Sequence, residues 1–90
     1  MPRFIVERTF PEGLAIPMDE NGAQVCQVLV GNNSQESVTW VHSYVTCNKR
    51  KTFEVYDAPS SDAIRKVAQV NNLPVDAISE VSVLDPYFYR

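Results

Sequence analysis

Apolar side chains along this chain recur with a period of two, then of about 3.6, then twice more of two, then 3.6 and two again, an order that few folds accommodate. From Arg3 to Phe10 the residues alternate, Phe4, Val6 and Phe10 against Ile5, Glu7 and Thr9, before Pro11, Glu12 and Gly13 end the run. That is a strand with two different faces. Pro17 suits a first helical turn, and Val25, Cys26 and Leu29, with Met18 and Gly22 able to join them, share one helical face before Gly31 and Asn32. The spacing predicts a helix over Pro17 to Val30. Val38 to Thr46 and Lys51 to Tyr56 are rich in β-branched and aromatic residues and are separated by a short polar turn, so they form a hairpin. Asp57-Ala58-Pro59-Ser60-Ser61-Asp62 supplies a turn and an N-cap, Ile64, Val67, Ala68 and Asn71 follow at helical spacing up to Asn72, and the second helix ends before Pro74. Ala77 to Leu84 alternates once more and leads into an aromatic tail of Tyr87, Phe88 and Tyr89.

Strand, helix, strand, strand, helix, strand is the split βαβ pattern. It predicts an α+β, ferredoxin-like domain: a four-stranded antiparallel sheet in the order 4-1-3-2 with both helices on one face. At 90 residues the chain is one domain, 1–90, with a thin core that oligomerisation would help to stabilise.

A net charge of −3, with no helix or strand gathering the Lys and Arg residues, argues against binding nucleic acid or a membrane surface. Lys49, Arg50 and Lys51 read as the solvated turn of the hairpin. No apolar run suits a signal peptide or a membrane span, and Cys26 and Cys47 form neither a CxxC pair nor a disulfide framework, so a cytoplasmic location is expected.

With both helices on one face of the sheet, strand parity assigns Phe4, Val6, Val41, Val45, Phe53, Val55, Val81 and Val83 to the covered side. The open side then carries Ile5, Glu7, Trp40, His42, Tyr44, Thr52, Glu54, Tyr56, Glu80 and Ser82. Trp40, Tyr44, Tyr56 and Ile5 are more apolar surface than a monomer leaves wet, so a sheet-to-sheet homodimer is expected to cover them. Glu80, Glu7 and Glu54 would stand on three neighbouring strands, with His42 on the edge strand beyond. Aligned carboxylates about 5 Å apart would repel by roughly 3 kcal/mol per pair at an effective dielectric near 20. A shared proton, a basic group or a bound cation must then relieve them. Offset registers would leave the carboxylates simply facing water.

The chain holds no GxSxG, P-loop, GxGxxG or HExxH, and His42 is its single histidine. A metal site would need carboxylates or ligands from two subunits, and mixed oxygen and imidazole donors suit nickel, zinc, manganese or iron.

Four stretches, Phe4-Ile5-Val6-Glu7-Arg8, Trp40-Val41-His42-Ser43-Tyr44-Val45, Tyr56-Asp57-Ala58-Pro59 and Ile78-Ser79-Glu80-Val81, together resemble the small bacterial nickel-responsive, nickel-binding family of ferredoxin-like domains. The resemblance spans nearly the whole chain, with Trp-Val-His-Ser-Tyr its most specific element. It implies a cytoplasmic homodimer with some capacity for nickel, and it implies no known reaction. The expected metal-binding residues are His42, Glu7, Glu80 and Glu54, with nickel the first candidate among divalent transition metals. A small dimeric α+β-barrel enzyme is the alternative, with His42 as base, Glu7 or Glu80 orienting it and a small organic substrate. A third reading is an interaction module with neither ligand nor chemistry. The residues alone leave these open.

Overall fold

The computed structural model describes residues 1–14 and 20–88. Its elements are β1 (Arg3–Thr9), α1 (Glu20–Ser34), β2 (Thr39–Val45), β3 (Lys51–Asp57), α2 (Ser61–Val70) and β4 (Ala77–Val81). The sheet is antiparallel in the order β2-β3-β1-β4, which read from the other edge is the expected 4-1-3-2.

Each element follows from its residues. Phe10 and Gly13 close a turn after β1 through Gly13 N–H to Phe10 O at 2.9 Å, and Gly13 takes a φ of 86°, where a Cβ would be strained. In α2 the Ser60 hydroxyl accepts from Ala63 N–H at 3.2 Å, so the first turn is capped. Ala63, Ile64, Val67 and Ala68 are its buried stripe. The β2–β3 turn is the solvated one expected, with Cys47, Asn48, Lys49 and Arg50 all exposed.

Helix α1 differs from expectation. It runs past Gly31 and Asn32 to Ser34 because side-chain amides take over there: Asn32 Nδ2 donates to Asn71 Oδ1 at 2.7 Å, and Asn71 Nδ2 donates to Asn33 Oδ1 at 3.1 Å. The end of α1 is thereby tied to the end of α2. Among its described residues only Gly22 and Asn33 are buried, Cys26 and Leu29 are half-buried, and Val25 is exposed instead of packed. Pro17 and Met18 lie outside the described residues.

The core consists of Phe4, Val6, Val38, Tyr56, Ala58, Ala63, Ile64 and Val67, with Trp40, Val75 and Ile78 packed against it. Residues directly opposite on paired strands share a face, so Phe4↔Tyr56, Val6↔Glu54 and Arg8↔Thr52 place Thr52, Glu54 and Tyr56 under the helices. The expected parity of β3 is therefore inverted. Phe53 and Val55, opposite Glu7 and Ile5, face away from the helices, as does Val81 opposite Arg3. Arg8 is the cause: β1 carries it inward, and a buried guanidinium requires a buried carboxylate beside it. In β2 a register shift between Trp40 and His42 absorbs Val41 and puts the two aromatic residues on opposite faces. β4 stops at Val81, leaving Val83 and Leu84 beyond the sheet and exposed.

Candidate functional site

Two surfaces of the sheet carry chemistry, and they are separated by its thickness. On the face away from the helices, Ile5, Phe53, Val55 and Val81 form an apolar strip. The Arg3–Asp57 pair bounds one end, with Nε to Oδ1 at 2.9 Å and a second bond of 3.2 Å to Oδ2. That guanidinium holds the Asp57 carboxyl below the usual carboxylate range, chiefly by hydrogen bonding. Lys51 bounds the other end, 3.5 Å from Glu7 Oε1 and 5.5 Å above the Phe53 ring. Along the β2 edge His42 and Tyr44 meet edge to face at 5.2 Å, and Tyr44 is 64% exposed.

The register sets how far apart these groups stand. His42 lies opposite Val55, which lies opposite Ile5, whereas Tyr44, Phe53 and Glu7 form the neighbouring row. His42 and Glu7 are thus two strands apart, roughly 12 Å between Cα atoms by sheet spacing. Among the described residues no three His, Cys, Asp or Glu side chains are close enough to hold one ion. The described residues of one chain therefore form no three-ligand metal site.

The helix side is built around a buried charge. Arg8 is 1% exposed; its guanidinium donates to Pro74 O at 2.7 Å and to Tyr56 Oη at 3.3 Å, and its Nε lies 3.1 Å from Glu54 Oε2. That last N–H points off the line to the carboxylate, so the contact is an ion pair rather than a hydrogen bond. Glu54 also accepts from Thr52 Oγ1 at 2.8 Å and from Tyr56 Oη at 2.5 Å. Burial, then the Glu54 charge, push the Tyr56 phenol far above its ordinary range. Beside this network, between α1 and the sheet, lies a cavity of about 200 Å³ with mostly apolar walls.

The four expected metal ligands are therefore not brought together. His42 and Glu7 occupy the open face as expected, but Glu54 is under the helices and paired with Arg8, and Glu80 stands exposed opposite Phe4 on the helix side of edge strand β4. The expected carboxylate repulsion does not arise, because the chain's own Lys51 and Arg8 sit against Glu7 and Glu54. Of the expected dimer-face residues, Ile5 and Tyr44 are on the open face, whereas Tyr56 is buried and Trp40 packs on the core with its indole N–H on Ser43 Oγ at 2.7 Å. Sequence reading missed Arg8. The signal was present: an arginine in phase with Phe4 and Val6 on a central strand must find an anion inside.

A family model described as nickel responsive protein SCO4226-like matches residues 4–81. The chain belongs to that family. Nickel responsiveness is thus the property of the SCO4226-like family into which the resemblance of the four stretches had pointed. Among solved structures the chain is similar to SCO4226 from Streptomyces coelicolor A3(2), at 17% identity and a TM-score of 0.70, covering 90% of this chain and 96% of that one. At that identity the likeness shows the ferredoxin-like fold. A search of curated proteins finds no match. Among the described residues no helix is long and apolar enough to cross a membrane.

Proposed function

We propose that this protein is a cytoplasmic homodimer that binds a divalent transition metal, nickel first, between the open faces of two sheets, with His42 as nitrogen ligand and Glu7 as carboxylate ligand. The observation that carries the reading is the exposed His42 imidazole at the margin of an uncovered apolar strip, on the same face as Glu7. Membership of a nickel-responsive family supports the choice of metal. Two free cysteines, Cys26 and Cys47, suit a reducing compartment.

Dimerisation answers both shortcomings of the single chain. It buries Ile5, Phe53 and Tyr44, and it brings a second set of His42 and Glu7 to a site that one protomer leaves incomplete. An imidazole beside carboxylate oxygens favours nickel or zinc over magnesium or calcium. Glu54 and Glu80 have no part in this site.

Calorimetry with nickel, zinc and manganese on untagged wild type, His42→Ala and Glu7→Gln is the test. Wild type binds nickel, His42→Ala does not, and Glu7→Gln binds it more weakly; equal binding by wild type and His42→Ala removes the reading. Binding also weakens on acidification, since a ligating imidazole must be unprotonated.

A further inference from the structure

The cavity under α1 is distinct from the open face and plays no part in the metal reading. Its walls come from Phe10, Leu29, Val45, Leu73 and the Trp40 ring, and polar groups line it too: Ser43, Thr52, Glu54 and Tyr56 from the sheet, Asn33 and Asn71 from the helix ends. We propose that this cavity is a binding site for a small neutral alcohol with a single ring, a phenol or a cyclic alcohol, whose hydroxyl lies between Ser43 and Glu54.

Volume sets the size of the occupant. An apolar protein cavity of about 150 Å³ accepts benzene, so the present volume of about 200 Å³ admits one six-membered ring with a small substituent. An unfilled space of that size is destabilising, and a ligand that fits it restores the missing van der Waals contacts.

The polar groups on the sheet side set the chemistry. A carboxylate offers about four lone-pair positions. Hydrogen bonds take two of those on Glu54, from Thr52 at Oε2 and from Tyr56 at Oε1, and the Arg8 ion pair crowds Oε2, which leaves a position at Oε1 for a further donor. Ser43 accepts the Trp40 indole N–H, so its own hydroxyl proton is available to a ligand oxygen. Ser43 and Glu54 are cross-strand partners, about 5 Å apart at Cβ. A single ligand hydroxyl can accept from the serine and donate to the carboxylate. Arg8 already balances the Glu54 charge, so a cation gains little there, and an anion would meet the carboxylate.

Trp40 is the single tryptophan, so its indole N–H gives one unambiguous NMR signal at the cavity wall. Titration with 4-methylphenol is expected to shift that signal saturably, with toluene binding about tenfold more weakly for want of the hydroxyl and benzoate leaving the signal unmoved. Cys26→Phe, which fills the wall from α1, is expected to abolish the shift while the circular dichroism stays native. Should that variant fail to fold, nuclear Overhauser contacts in wild type between the 4-methylphenol ring and the Trp40 and Leu29 side chains carry the same information. No shift up to the solubility limit of 4-methylphenol, equal binding of toluene or benzoate, binding that survives in folded Cys26→Phe, or contacts confined to exposed Tyr87 and Phe88 would each overturn the proposal.

Discussion

Arg8 and Glu54 are the two residues whose pairing decides which way β3 faces. Removing one member of a buried ion pair strands the other, at a typical cost of about 3–5 kcal/mol. Glu54→Ala is therefore expected to lower the unfolding free energy measured in urea by that much, and Arg8→Met with Glu54→Leu to recover most of it; a single variant as stable as wild type would mean the charge is not buried in solution. Tyr56 gives a pH dependence of known sign. Its phenol holds its proton more tightly when folded than when unfolded, so its contribution is complete below about pH 10 and is lost as pH rises above that value. Thermal melts should show wild type losing stability between pH 10 and 11 (about the unfolded tyrosine value) more steeply than Tyr56→Phe. Identical slopes would contradict the placement of Tyr56.

At the scale of elements, α2 and β1 follow directly from sequence pattern, whereas β2 and β3 show where pattern ends. Ser60 before a four-residue apolar stripe is a local signal, and Ser60→Ala is expected to cost about 1 kcal/mol by chemical denaturation. In β3 both alternating sets contain large side chains, Phe53 and Val55 on one and Tyr56 on the other, so apolar periodicity could not choose between them. Only a partner 46 positions away in sequence, Arg8 for Glu54, makes the choice. The bulge after Trp40 was likewise invisible, because one extra residue changes no composition yet puts Trp40 on the face opposite to His42 and Tyr44. His42 and Glu7 were nonetheless legible as open-face groups, since neither depends on β3. Helix α1 was misread at Val25 because what anchors it is the pair of amides on Asn71, not an apolar stripe. Asn71→Ala is accordingly expected to loosen the end of α1, read as faster amide exchange at Asn32 and Asn33 with α2 little changed.

At the scale of the whole molecule, the uncovered sheet face is what a second copy would occupy. Phe53→Asp is expected to yield a folded monomer by sedimentation, because Phe53 is a large, half-buried ring on the open strip beside exposed Tyr44. Trp40→Ala should instead destabilise the fold without specifically splitting a dimer, by about 3 kcal/mol for the lost indole packing. The metal reading adds one geometric demand: the ion must sit where the two open faces meet, since a single chain offers no cluster of ligands among its described residues. Anomalous diffraction at the nickel edge, on crystals of untagged protein grown with nickel, locates it directly. The expected result is a peak between two open faces and within bonding distance of a His42 ring nitrogen; a peak elsewhere on the molecule, or none at that interface, would contradict it.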